Sequence, residues 1–421
     1  MYPTLPPGRA VMVGYGKLLL HQLDRFLPPR SVVVVEDPDI VRKRDVHADV
    51  AKLPCVDAVI EAPYHRGDAY VGPVEEYLAG APVSFVIPGL EYGVLGAATL
   101  AHRWKLPGAG VTAAEALTDK LRLRAAAQAA GLRGPEWTEV FGPADVAAFA
   151  AGGPVVLKPA NRHASLGVQL LEPGDDLHAA WALTVDAQDH LMLPDTPLPW
   201  RYLAERRLHG REYSVEALVR GGEVLFSNVT GKLTAGGRHP VELGHVVPAD
   251  LPAADRDGLT AALAALVAAI GYDTGVLHAE FMVDQAGPTL VECAGRIPGD
   301  SIVFLIDAAY GGELIRHLVA LLAGSPPALT PRAAMASAIR FLAADTPGVV
   351  RDVAGVADAA ARPGVLRAAV TVAPGDHVNA LRSSWDRIGE VMTIGTTPAE
   401  AAQRADQAAT AIRVHVEDVA P

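Results

Sequence analysis

The sequence predicts an α/β protein whose later parts are α+β. Three observations carry this. The first hundred residues alternate fully apolar strands with helical stretches, the middle holds two hairpins, and a Pro-rich linker opens a last unit of strands closed by one helix.

The elements follow in order. Residues 10–13 read as a strand, Gly14-Tyr15-Gly16-Lys17 as a turn and 18–26 as a helix. The fully apolar strand 32–35 ends in Glu36-Asp37, and 58–61, 83–86 and 93–102 continue the rhythm. Apolar strands alternating with helices indicate a parallel sheet covered on both faces. The turn approaches a dinucleotide fingerprint, but Leu19 stands where the third glycine belongs, so a structural Rossmann-like domain is favoured over NAD binding. Pro107 and the glycines at 108 and 110 mark a boundary, and a helix is predicted over 113–130, stopped by Gly131 and Pro135. Strands are predicted at 154–159 and 202–207. Residues 213–220 and 223–230 form a hairpin across Gly221-Gly222, and 275–284 with 289–294 form a second across 285–288. A helical stretch over 300–323 breaks at Gly311-Gly312, the linker 324–331 follows, and a final helix spans 398–412.

A chain of 421 residues has room for two to four domains. Thirty-six Lys+Arg against 48 Asp+Glu give a net charge of −12, which speaks against coating nucleic acid or anionic membrane. Cys55 and Cys293 are too few for a disulfide framework or a thiolate zinc site. No apolar run reaches the roughly 18 residues of a membrane span, and 261–270 and 302–309 fit buried helices. The N-terminal residues lack a signal-peptide profile, so the expectation is a cytoplasmic protein with no nucleic-acid or membrane partner.

The second hairpin carries the sharpest chemical signal. Glu280 lies six residues before Ala286, the centre of the predicted turn, and Glu292 lies six after it. That symmetry makes them cross-strand partners with Cβ atoms about 5 Å apart, where like charges repel unless offset. A divalent cation would offset them, and Mg²⁺ takes such oxygen ligands; a slipped register or two solvated side chains is the competing reading.

Lys158 ends the run 155–157 and leads into a loop containing Ser165 and Gly167. An ammonium beside backbone amides holds phosphate, although a strand-ending lysine is also a common solvated end. Lys120, beside Asp119 in the first half of the 113–130 helix, reads by itself as an exposed lysine. Glu205 and Glu212, seven residues apart around Leu208 and Gly210, serve either a nucleoside or the surface. Arg296, four residues past Glu292, offers a fork for a carboxylate or acyl phosphate. Asp300 takes a substrate ammonium or caps the following helix. Glu242 and His245 fall in an irregular stretch after Lys232, with His245 either structural or catalytic. Cys293 alternates away from Glu292 and packs rather than reacts.

Taken in order, Thr118-Asp119-Lys120, Lys158 with the loop ending Ser165-Leu166-Gly167-Val168, the segment 205–208, Gly210-x-Glu212, and Glu280 with Glu292 and Arg296 resemble the ATP-grasp superfamily over nearly the whole chain. Segments 240–248, 292–300 and 385–389 are similar to the bacterial L-amino-acid (dipeptide) ligases and related carboxylate–amine ligases. The resemblance implies an ATP-grasp fold: a Rossmann-like pre-ATP-grasp domain (1–107), an ATP-grasp domain (108–325) and a C-terminal α+β domain (326–421). It implies that Lys120 and Lys158 bind ATP phosphates under the 161–168 loop. Glu205 and Leu208 would meet adenine mainly through backbone, Glu212 the ribose, and Glu280 with Glu292 would hold Mg²⁺. Arg296, His245 and Lys232 are then the catalytic candidates, and Arg296, Asp300, Glu242 and His245 the substrate contacts.

Two departures stand out. Ala294 occupies a position where many relatives have Asn, and Asn161, Arg162 and His163 replace small residues in the phosphate loop. The activity implied is ATP-dependent ligation of an amino acid or related carboxylate to an amino acid or amine. It runs through an acyl phosphate and releases ADP and phosphate; a homodimer is a family-level expectation. Carboxylation with bicarbonate, to which 385–395 bears a faint resemblance, and a catalytically inactive nucleotide-binding regulatory protein are the alternatives.

Overall fold

The computed structural model describes residues 5–236, 241–325 and 333–417. Pro240, most of the expected linker and residues 1–4 lie outside them. The chain begins with Arg9–Val13 (β1), Lys17–Asp24 (α1), Val32–Glu36 (β2), Pro38–Lys43 (α2), Val46–Val50 (α3), Val56–Glu61 (β3), Val71–Leu78 (α4), Val83–Pro88 (β4) and Val94–Arg103 (α5). These strands form the expected parallel sheet in the order β3-β2-β1-β4. Met12 and Val34 belong to the core on one face, Val11 and Val33 to the core on the other, as helices on both sides require. The glycine turn serves the fold: a Cβ on Gly16 would run into the carbonyl oxygen of Gly89, just past β4. Glu36, the acid at the end of β2, turns back and accepts the N–H groups of Tyr15 at 2.6 Å and Asp37 at 2.8 Å.

The single helix expected over 113–130 is two, Val111–Leu117 (α6) and Lys120–Ala129 (α7). Asp119 breaks it, because its carboxylate accepts from the N–H groups of Leu121 and Arg122 and caps α7; aspartate competes with helical backbone and favours caps over interiors. Lys120 is therefore the first residue of α7 and is buried, a correction to its reading as an exposed helix lysine.

A second sheet comprises Trp137–Val140 (β5), Val155–Pro159 (β6), Gln169–Leu171 (β7) and Tyr202–Arg206 (β8), with Pro143–Ala150 (α8) and Leu177–Val185 (α9) between strands. It is antiparallel in the order β5-β8-β6-β7. Val155 and Leu157 pack in its core, so Val156 and Lys158 alternate to the opposite face.

The largest sheet is built from Arg211–Arg220 (β9), Glu223–Thr234 (β10), Glu242–Val247 (β11), Gly275–Asp284 (β12) and Gly287–Ala294 (β13), and later strands extend it. Ala253–Ile270 (α10) covers one face through Leu259, Leu263 and Leu266. Ile302–Tyr310 (α11) and Leu314–Leu322 (α12) cover the other. The chain continues with Ala336–Ala343 (β14), Gly348–Ala354 (β15), Val356–Ala360 (α13), Val365–Val370 (β16), His377–Val378 (β17), Arg387–Gly395 (β18), Pro398–Ala411 (α14) and Arg413–Glu417 (β19). The sheet order is β13-β12-β9-β10-β11-β14-β18-β16, with β17-β15-β19 apart.

The stretch after Lys232, expected to be irregular, contains strand β11, hydrogen-bonded to β10 on one side and β14 on the other. Its partner β14 comes from far along the chain, so local sequence carried no sign of the pairing. Among the described residues no helix is long and apolar enough to cross a membrane.

Candidate active site

The predicted cross-strand pair forms, by a route the sequence did not disclose. The turn between β12 and β13 is shorter than expected: Asp284 pairs with Gly287, leaving only Gln285 and Ala286 between. Continued along the strands, that register would set Val291 against Glu280. An irregularity between Glu280 and Phe281 inserts one residue on β13 and brings Glu292 opposite Glu280 instead. A bulge re-aims a side chain in this way.

Two cavities meet at this pair. The first, of about 300 Å³, lies between the second and largest sheets. Lys120, Lys158, Ser165, Glu205, Leu208, Glu212, Glu242, Glu280 and Glu292 line it. The second, of about 480 Å³, opens toward the ends of β1 and β4 and is lined by Lys232, Glu242, His245, Arg296 and Asp300, with Glu280 and Glu292. The predicted site residues are thus brought together, except that Gly167 lines neither cavity. It supports the loop instead, at φ +75°, where a Cβ would come within 2.9 Å of the Thr184 carbonyl oxygen.

In the first cavity the lysines are already paired. Lys158 Nζ stands 2.7 Å from Glu205 Oε2, and Arg124 Nε donates to Glu205 Oε1 at 2.7 Å. Burial pushes the Glu205 carboxyl up, but the Lys158 and Arg124 charges outweigh it and hold it at about 2. The Glu205 side chain is therefore committed to these two cations. Arg124 also donates to the carbonyls of Leu290 and Val291, at the bulge. Lys120 Nζ reaches Glu292 Oε1 at 2.9 Å and donates to the Arg162 carbonyl at 2.6 Å.

Lys232 organises the remaining acids. Its Nζ, on a side chain 2% exposed, lies 2.5 Å from Glu212, 2.9 Å from Glu280 and 3.2 Å from Glu242. Burial disfavours its charge, yet the three carboxylates win and keep it protonated. Oxygens of Glu212, Glu242 and Glu280 all lie within 4.8 Å of one another. The donors are all carboxylate oxygen, the kind Mg²⁺ takes, but Glu212, Glu242 and Glu280 converge on the Lys232 ammonium, so the pair that fits the ion is Glu280 with Glu292, which faces it across the strands.

Sequence reasoning missed several members. Glu216, fully buried, accepts from Ser214 Oγ, Asn228 Nδ2 and Thr230 Oγ1 and lies 2.9 Å from His278 Nδ1. His278 Nε2 lies 3.2 Å from Glu280 Oε1. Burial works against the imidazolium, but bonds to Glu216 and Glu280 raise its pKa to about 9. The available signal was polar residues two apart inside apolar strands: Ser214 and Glu216, Asn228 and Thr230, His278 and Glu280. Glu91, just past β4, meets Arg296 Nε at 2.9 Å.

Asp300 departs from the helix-cap reading. Helix α11 starts at Ile302 after Ser301 and has no side-chain cap, while Asp300 is gripped by Arg387 and by His245 Nε2 at 3.2 Å. Ser384, Trp385 and Arg387 bring the C-terminal region to the second cavity. Cys293 is packed in the core, as expected.

Residues 151–303 match the model of the ATP-grasp domain, and residues 340–417 that of the L-amino acid ligase C-terminal domain 2. The chain is 26% identical over 340 residues to the uncharacterized protein y4rH of Sinorhizobium fredii, spanning 79% of this chain and 68% of that one. A D-alanine–D-alanine ligase of Methylococcus capsulatus is 36% identical over 95 residues, 22% of this chain and 31% of that one. The L-amino acid ligase structure from Bacillus licheniformis matches with a TM-score of 0.79 over 99% of this chain and 100% of that one, at 18% identity, a likeness of fold. ATP and Mg²⁺ are the cofactors that go with the ATP-grasp domain. The chain therefore carries an ATP-grasp domain over residues 151–303 and an L-amino acid ligase C-terminal domain 2 over residues 340–417.

Proposed function

We propose that the protein joins an amino acid, or a related carboxylate, to an amino acid or amine at the expense of ATP. The observation that carries this reading is that the carboxylates of Glu280 and Glu292, with Glu242, form a wall common to both cavities. A phosphoryl group held by cations on one side can there meet a carboxylate on the other.

In this reading Lys120 and Lys158 hold the triphosphate, Glu205 and Leu208 meet the base through backbone, and Glu212 meets the ribose. Glu280 and Glu292 hold Mg²⁺, which neutralises phosphate charge when bound. Arg296, kept in place by Glu91, orients the substrate carboxylate; Glu242, His245 and Asp300 border the amino-acid head group. Lys232 is a positioning residue, since its ammonium touches three carboxylates. The substrate carboxylate oxygen bonds to the γ-phosphorus and ADP leaves. The amine then attacks the carbonyl, phosphate departs and the amine proton goes with it. Catalysis is positioning and charge neutralisation, with no protein nucleophile. The same reading divides the chain at 1–107, 108–325 and 326–421 and expects a cytoplasmic homodimer.

The test is phosphate release from ATP and Mg²⁺ with single amino acids and their pairwise mixtures, with product masses read from the same wells. Release that requires a pair, with a product one water lighter than the sum, supports the ligase. Release driven by bicarbonate, or none despite tight ATP binding, overturns it.

A further inference from the structure

His163 lies where the two cavities meet, and its ring nitrogen lacks a partner there. The residue lines both, with Ser165, Glu242, Glu280 and Glu292. Its ring stands against Tyr92, centroids 4.8 Å apart and tilted by 57°. Nε2 is buried and has no hydrogen-bond partner among the described residues. Such groups nearly always find one, from protein, water or ligand. Burial, with Arg296 and Lys120 nearby, keeps the imidazole uncharged, its pKa down at about 3. The peptide just before it accepts from Lys120 Nζ at 2.6 Å, through the Arg162 carbonyl. The chain turns sharply just after it, with Ala164 at φ 57° and Ser165 at φ 56°. Non-glycine residues held in this region cost energy and cluster at functional sites.

We propose that His163 is a further catalytic residue, whose Nε2–H donates to an oxygen of the phosphoryl group as it passes from the nucleotide in the first cavity to the carboxylate in the second. The assignment rests on the ligase reading above. In that step a carboxylate oxygen bonds to the γ-phosphorus. The bond from that phosphorus to the β–γ bridging oxygen breaks, and its electron pair leaves on ADP. No proton moves, so the group needed is a fixed donor and not an acid or a base. A neutral imidazole supplies this without adding a third cation beside Lys120 and Arg296. It also accounts for a bulky ring in a loop where small residues would suffice to wrap phosphate with backbone amides.

The test compares binding of ADP–Mg²⁺ with binding of ADP–Mg²⁺–aluminium fluoride, a mimic of the phosphoryl group in flight, to the full-length chain by calorimetry. His163→Phe keeps a ring against Tyr92 but has no nitrogen; His163→Gln returns a side-chain N–H. The Phe variant should bind ADP–Mg²⁺ like the wild type and lose about tenfold or more for the fluoride complex, and Gln should restore most of that loss. A purely structural ring predicts the reverse order. Equal fluoride affinities in all three proteins, or a Gln variant no better than Phe, overturn the assignment while leaving the ligase reading intact. A wild type that binds no ADP–Mg²⁺ overturns both.

Discussion

Asp300 receives both prongs of Arg387, at 2.6 Å from Nη2 to Oδ1 and 3.0 Å from Nη1 to Oδ2. Arg387 begins β18 and stacks over Phe341 on β14, its Cζ 3.8 Å from the ring centre. The pair thus ties the C-terminal strands to the wall of the second cavity. Burial pushes the Asp300 carboxyl up, but hydrogen bonds with His245 and Arg387 outweigh it and hold it well below the usual carboxylate range. A depressed pKa means stabilisation that is present above the ordinary value of about 3.9 and lost as pH falls beneath it. Arg387→Ala should cost about 2 kcal/mol at neutral pH, because it removes both guanidinium hydrogen bonds from a mostly buried carboxylate and leaves it only His245. Asp300→Asn in the same chain should recover part of that loss. Denaturant melts of both singles and the double mutant give the coupling, and strictly additive losses would show that the pair contributes none.

Glu280 and Glu292 should be needed together. Glu280→Gln and Glu292→Gln are each expected to lower Mg²⁺-supported ADP formation by about 100-fold or more, the equivalent of several kcal/mol of charge stabilisation. Initial rates across a Mg²⁺ titration check this. Full activity in either variant would refute the metal assignment.

The Lys158–Glu205–Arg124 cluster predicts a pH signature. Because Glu205 is held at about 2, its stabilisation is complete above the ordinary glutamate range and fades as pH falls from about 5. Glu205→Gln should lower Tm at pH 7 and flatten its fall between about pH 5 and 2. Parallel Tm–pH curves for the two proteins would contradict it.

Arg296→Ala should separate the two cavities functionally. Its guanidinium faces Glu91 and the second cavity, so ATP affinity should stay within about threefold while ligation falls by about 100-fold. Calorimetry for ATP and product mass for ligation measure the two. A comparable loss of ATP binding would place Arg296 on the nucleotide instead.

Much of this was legible in the residues. The alternating apolar strands announced the parallel sheet, because a strand buried on both faces must be apolar throughout. The distance of six residues on either side of Ala286 placed Glu280 against Glu292, although the agreement depended on a short turn and a bulge that offset each other. The helix expected over 113–130 is two because Asp119 caps the second, and the preference of aspartate for caps over helix interiors was the one local sign of that break.

What the sequence by itself determined is local: which residues share a face of one strand or follow one another round a loop, a consequence of the two-residue period of a strand. Only the tertiary structure decided which distant elements become neighbours. Glu91 meets Arg296 across 205 positions, and Asp300 meets Arg387 across 87. Lys232 gathers acids from β9, β11 and β12. The gathering at Lys232 follows from the order β12-β9-β10-β11 in the largest sheet, and strand order is set by which edges pair and which faces bury together, a property of the whole chain.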